Sequence, residues 1–133
     1  RKAAMGFTTL FAVAALGVTL AVPDLIAVSA QSEGEEPPTV PFTLGQGHQL
    51  FQDNCAQCHG EWGWGTDSGP PLMHGYYKKN HHGDIAFYRA IENGSPQHHW
   101  TFGDMPPVEG LDRKAAEQIV EFVRWLQVEN GIE

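Results

Sequence analysis

The sequence predicts an all-α fold with long loops, and three observations support this class. The clearest is a helix that begins after Asp112 as N-cap and carries one apolar stripe at helical spacing, formed by Ala116, Ile119, Val120, Val123 and Leu126 and widened by Phe122 and Trp125. A second helix is predicted between Asp84 as N-cap and Gly94 as its stop. No segment shows the strict apolar–polar alternation of a half-buried strand.

A third helix is predicted from Thr43, as its N-cap, to Cys55, with Leu44, Leu50 and Phe51 as its apolar residues. The stretches 60–83 and 95–111 are rich in glycine, proline and histidine, and they are predicted to be loops.

The N-terminal stretch is apolar, because residues 3–22 contain no charged side chain. Twenty helical residues span about 30 Å, the thickness of a bilayer core. Arg1 and Lys2 precede the run, so we expect residues 1–30 to be an uncleaved transmembrane anchor, with the rest on the periplasmic or extracellular side of a bacterial inner membrane. The alternative is a secretory signal peptide cleaved after Val28-Ser29-Ala30, although the run exceeds the usual apolar core of about 7–15 residues.

Residues 31–41 form an acidic linker that contains proline, and residues 42–133 are the predicted folded domain. The whole chain has sixteen acidic and eight basic residues, a formal net charge of −8. The predicted domain alone has twelve acidic and six basic residues, hence −6. This charge argues against nucleic acid as a partner and favours basic protein surfaces.

The only two cysteines lie in the run Cys55-Ala56-Gln57-Cys58-His59. This CxxCH spacing is typical of covalent haem attachment, in which each thiol bonds one haem vinyl group and the histidine ligates the iron. A thioredoxin-like redox pair is the main alternative, but it requires a βαβ context that the sequence does not show.

Three further motifs occur in the order expected for a class I cytochrome c, which the domain resembles over 42–133. Gly47 and Phe51 match the positions where that family crosses its first and last helices. Gly69-Pro70-Pro71-Leu72 matches its Gly-Pro-x-Leu loop, and Met105, followed by proline, matches its distal ligand. The resemblance implies three main helices around one covalent haem c, which Cys55, Cys58, His59, Pro70, Leu72 and Met105 would bind.

The resemblance also implies two roles around the iron. The Pro70 carbonyl would accept a hydrogen bond from the far ring nitrogen of His59 and orient the ring. His59 and Met105 would be the axial iron ligands. Met73 is a weaker candidate for the distal ligand, because its side chain is expected to lie against the haem edge or in solvent. His98 and His99 are further candidates, because they lie only six or seven residues before Met105.

Two histidine pairs, His81-His82 and His98-His99, lie in the predicted loops. A second metal site is one interpretation, since imidazole binds zinc and copper. Adjacent side chains usually point apart, so polar loop residues near the haem or a partner surface are the favoured interpretation. Trp64, Trp100 and Arg89 are candidate partners for a haem propionate.

The function implied by the resemblance is one-electron transfer rather than catalysis, because iron with two protein ligands has no open site. A haem enzyme or gas sensor with a labile distal ligand is an alternative from a different class. The predicted anchor favours a subunit of a respiratory or photosynthetic membrane complex, with other subunits as redox partners. A free shuttle, tethered to the membrane or soluble, is the alternative within the first class.

Overall fold

Four α-helices form the framework of residues 37–132, the part of the chain described by the structure, which is a computed structural model. Helix α1 spans Gly45–Asn54, α2 Ala56–His59, α3 Asp84–Asn93 and α4 Arg113–Glu129, and short 3₁₀ turns occur at Phe42–Leu44 and Gly75–Tyr77. Within this range there is no strand, and the β-type pairs are two isolated bridges, Thr66–Gly69 and Ser95–Met105. The predicted all-α class is therefore confirmed for the described residues.

Helices α1 and α4 cross at a point of close backbone approach. A Cβ at Gly47 would collide with the backbone carbonyl of Gln118 and lie 3.2 Å from Cβ of Phe122. The rings of Phe51 and Phe122 pack next to this point with centroids 5.4 Å apart. Only glycine permits such an approach of the two backbones, so the predicted crossing of the first and last helices is confirmed.

Helix α4 supplies most of the core, as its periodicity predicts. Its N-cap is Asp112, whose carboxylate accepts a hydrogen bond of 2.7 Å from the amide of Ala115. The predicted stripe is buried, and of the two aromatic residues that widen it Phe122 is buried and Trp125 is half-buried; the buried residues are Ala116, Ile119, Val120, Phe122, Val123 and Leu126. Burial of this face against α1 and α3 holds the domain together.

A buried arginine on α4 fixes the loop that leads into α3. Arg124 donates hydrogen bonds of 2.6 Å to the carbonyls of Tyr77 and His82 and of 2.7 Å to the carboxylate of Asp84. It also donates to the side chain of Gln127, which in turn donates to the carbonyl of Leu72. This network connects α4 to three points of the long loop between α2 and α3, at Leu72, Tyr77 and His82. The loop has little regular structure of its own.

Two predicted N-caps are wrong. Thr43 lies inside the first 3₁₀ turn, closed by the amide of Leu44 donating to the carbonyl of Pro41, and Leu44 precedes α1 without a side-chain cap. Asp84 is the first residue of α3 rather than its cap, which is Gly83, because its carboxylate pairs with Arg124. The predicted stop at Gly94 is confirmed, with φ of 75°.

The predicted anchor, residues 1–30, lies outside the described residues, as does most of the linker 31–41. Between residues 37 and 132, none of the helices combines the length and apolar character needed to cross a bilayer.

Candidate functional site

The six residues predicted to bind the haem all line one cavity of about 420 Å³. They come from three separate segments: Cys55, Cys58 and His59 from the CxxCH run, Pro70 and Leu72 from the loop after it, and Met105 from the loop after α3. The cavity size is within the range of roughly 300–1,000 Å³ that is usual for cofactor and ligand pockets. The loops and helices therefore bring all the predicted site residues together.

The CxxCH run follows α1 directly and forms a single helical turn. Cys55 ends α1, and the amide of His59 donates to the carbonyl of Cys55 at 2.9 Å. A Cβ on Gly69 would lie 2.8 Å from both Cβ and the carbonyl oxygen of Cys58, so this loop glycine allows the chain to pack tightly against the turn.

The two thiols differ in their surroundings. Cys55 is half-buried and Cys58 is exposed. Burial, and then the neighbouring Cys58, raises the pKa of the Cys55 thiol to about 12. A buried thiolate is disfavoured at this position, whereas an uncharged thioether suits it.

His59 is oriented by the hydrogen bond that the family resemblance implies. Its Nδ1 lies 2.8 Å from the carbonyl oxygen of Pro70. Because a carbonyl can only accept, Nδ1 carries the proton and Nε2 keeps a free lone pair. Burial lowers the pKa of His59, although the bond to Pro70 opposes this, so the ring is neutral at neutral pH. Neutral imidazole with a fixed far nitrogen is the form that ligates iron.

Met105 is held in place through its backbone. Its amide and carbonyl each form a hydrogen bond of 2.9 Å with Ser95, just after the end of α3. A Cβ on Gly94 would lie 3.1 Å from the backbone nitrogen of Pro107. Glycine is therefore required where the segment after α3 meets the segment that follows Met105. Sequence reasoning missed Ser95, since nothing local marks it as the partner of Met105.

The rival methionine of the domain, Met73, is in the core. Its side chain is 4% exposed, and it is not among the residues that line the cavity. Met73 therefore faces neither solvent nor the cavity, in contrast to what the sequence suggested.

Other residues of the cavity wall test whether a haem fits there. Trp100 lines the cavity, and its indole Nε1–H is buried without a hydrogen-bond partner. A haem propionate would supply an acceptor for it, and Arg89, which also lines the cavity, would supply a positive charge. Ile85 and Phe102 line the wall although they are 54% and 43% exposed, which suits an apolar macrocycle. Trp64 lies outside this lining and is 58% exposed.

The two histidine pairs, expected to point apart, are brought together beside the cavity. Nε2 of His81 lies 3.2 Å from Nε2 of His99, and Nε2 of His82 lies 3.4 Å from Nε2 of His98. Burial, and then the neighbouring imidazoles, lowers the pKa of His99. His82, His98 and His99 also line the cavity, so the cluster adjoins the predicted haem site.

Comparison with known proteins agrees with this geometry. Neither the curated proteins nor the solved structures contain a significant match to the chain. A family model described as Cytochrome c matches residues 45–127, which is more than half of the chain and includes every residue of the predicted haem site. Members of that family bind haem c covalently, and Cys55 and Cys58 fit its CxxCH attachment motif. The chain therefore belongs to the cytochrome c family.

Proposed function

We propose that the chain is a one-electron carrier whose haem c is bound through Cys55 and Cys58 and ligated axially by His59 and Met105. Membership of the family implies haem-based electron transfer. Pro70 and Leu72 complete the binding site as residues of the cavity wall.

The observation that carries the proposal is the state of His59. Its Nδ1–H is engaged by Pro70 at 2.8 Å, so the lone pair of Nε2 is available on a residue that lines the cavity. The hydrogen bond holds the ring in one orientation and increases its donor strength. The two cysteines lie one and four residues before this ring on the same helical turn, as covalent attachment requires.

Bound haem supplies an iron that alternates between two oxidation states. His59 and Met105 would both ligate this iron, which would leave no open position for a substrate and restrict the bound haem to electron exchange. Met105 suits this role because its backbone is paired with Ser95 on both sides, which limits its displacement. The thioether sulfur of a methionine also raises the reduction potential relative to a second histidine.

Two measurements on the purified protein test this proposal. Denaturing gel electrophoresis with a stain for haem peroxidase activity should show haem on the polypeptide band, and acid–acetone extraction should leave it there. The absorption spectrum of the reduced protein should change little under carbon monoxide, because a bound methionine resists displacement. Extractable haem would contradict covalent attachment, and rapid formation of a carbon monoxide complex would favour a sensor or enzyme.

We also propose that the protein is a membrane-anchored subunit of a respiratory or photosynthetic complex, with its haem domain on the periplasmic or extracellular side. This rests on the uncharged run 3–22 that follows Arg1 and Lys2. The linker 31–41 would connect this anchor to the domain. Redox partner proteins would then be other subunits of the complex.

A further inference from the structure

We propose that His81, His82 and His99 bind a divalent transition-metal ion, Zn²⁺ or Cu²⁺, beside the haem cavity. The three residues lie on two loops that are far apart in sequence, the turn before α3 and the loop between α3 and Met105. The site is distinct from the iron site, and it adds a second metal to the domain.

The distances between the ring nitrogens fit a single ion. One ligand atom from each of His81, His82 and His99 can be chosen so that all three lie within 4.8 Å of one another. Two nitrogens that each bind a tetrahedral zinc at about 2.0–2.1 Å lie roughly 3.3–3.4 Å apart. The observed separation of 3.2 Å between Nε2 of His81 and Nε2 of His99 is close to this spacing.

The tautomers of His82 and His98 also favour a bound cation. Nδ1 of His82 lies 2.6 Å from the carbonyl oxygen of Tyr76, and Nδ1 of His98 lies 2.8 Å from that of Pro96. Both carbonyls require a donor, so each neutral ring has its proton on Nδ1 and a lone pair on Nε2. These two lone pairs face each other with no hydrogen atom between them. A cation bound at Nε2 of His82 would reduce their repulsion.

These same hydrogen bonds are what a metal-binding histidine normally makes. Such a residue donates its other ring N–H to a backbone carbonyl or a carboxylate, which fixes the ring and strengthens the ligand. His74, by contrast, uses its Nδ1 to accept from the amide of Tyr76 at 3.2 Å, as a cap of the second 3₁₀ turn. We therefore leave His74 out of the ligand set.

Both loops are held in place by contacts outside the cluster. The carbonyl of His82 accepts a hydrogen bond of 2.6 Å from the buried Arg124. In the other loop, Asp104 accepts from the amide of Gln97 at 2.9 Å, and Gln97 accepts from the amide of Gly103 at 2.7 Å. The rings are thus brought together by the fold of the loops.

The chemistry of the donors selects the ion. The set consists of imidazoles, which suit zinc, copper and nickel, whereas calcium and magnesium require oxygen ligands. Copper(II) binds such ligands more tightly than zinc in general. His81 is exposed, so an ion has access from solvent.

The test uses haem-loaded full-length protein purified without a polyhistidine tag and stripped with a chelator. Isothermal titration calorimetry with ZnCl₂, and separately with CuSO₄, should show one ion bound per haem. The variants His82→Gln and His99→Gln should each weaken this binding at least about tenfold. Loss of a residue that only hydrogen-bonds to a metal ligand already lowers metal affinity by about 10–100-fold, and loss of a ligand itself should cost no less. His48→Gln is the matched control, because His48 packs against Trp62 and Phe122, away from the cluster.

The haem absorption spectrum of every variant shows whether the domain has folded and whether the iron ligands are unchanged. Unchanged spectra with weakened binding in the cluster variants alone support the site. Absence of one-to-one binding, or equal affinity in His82→Gln and the parent protein, overturns it. A spectrum altered in His99→Gln would also overturn it, since His99 would then ligate the iron.

Discussion

Arg124 of α4 and Asp84 of α3 form a hydrogen-bonded ion pair, with Nε and Oδ1 separated by 2.7 Å. The arginine side chain is 10% exposed and the aspartate side chain 47% exposed. The guanidinium also binds the carbonyls of Tyr77 and His82, so one side chain fixes the start of α3 and the turn before it. This turn carries His81 and His82, and it adjoins the wall of the haem cavity.

Replacement of this arginine should therefore destabilise the domain. In Arg124→Met, two part-buried carbonyls lose their donor, where a fully buried group left unsatisfied costs roughly 1–3 kcal/mol. We expect the free energy of unfolding, measured by guanidinium titration, to fall by at least about 2 kcal/mol. The control is Arg113→Met, which removes an exposed pair with Glu117 and should cost at most about 1 kcal/mol. Equal effects of the two substitutions would mean that Arg124 does not organise the loop.

The crossing of α1 and α4 can be tested with a single methyl group. Gly47→Ala raises intrinsic helix propensity by about 1 kcal/mol, but its Cβ would collide with the backbone at Gln118. We expect a net loss of about 1–3 kcal/mol, typical of overpacking. Gly45→Ala is the control on the same helix, since a Cβ there has no neighbour within 4 Å. Stability equal to or above the parent in Gly47→Ala would contradict the close approach.

The acidic charge of the domain should govern how it meets a partner. With a formal charge of −6 over residues 42–133, it should be attracted to a basic redox protein. Salt screens exposed charges beyond about 8–10 Å at physiological ionic strength. The bimolecular electron-transfer rate with a basic partner should therefore fall as salt is added. A rate that stays flat or rises would exclude charge steering and would favour docking through apolar contacts around the haem edge.

The proposed anchor predicts where the protein is found in a cell. Because the run 3–22 is as long as a bilayer core, the haem should stay with the membrane fraction after a carbonate wash. A protease added to spheroplasts should then reach the haem domain from the periplasmic side. A soluble mature protein that begins near Gln31 would show instead that the segment is a cleaved signal peptide.

Local patterns in the sequence were enough to predict the elements whose stability is local. The stripe of α4 and its cap at Asp112 follow from periodicity and capping chemistry, and both occur as predicted. The prediction for Asp84 failed because its carboxylate pairs with Arg124, 40 positions along the chain, instead of capping its own helix. Local sequence patterns cannot predict a contact between residues so far apart in the chain.

The candidate site was likewise predicted only in part from local sequence patterns. The family motifs located all six residues of the predicted haem site, and these residues line one cavity. The clustering of His82 with His98 depends on the path of two irregular loops, which has no signature in spacing or composition. The burial of Met73 likewise depends on how its loop packs under α4, through Gln127 and Leu72.

The most direct test of the account is the near-infrared sulfur-to-iron charge-transfer band of the oxidised protein, compared in two methionine variants. In Met105→Ala the band should disappear and the reduction potential should fall, because methionine ligation raises it. In Met73→Ala the band should remain, while the protein loses about 2–5 kcal/mol of stability, as for a large core side chain truncated to alanine. A band that survives in Met105→Ala and is lost in Met73→Ala would contradict the proposed ligation.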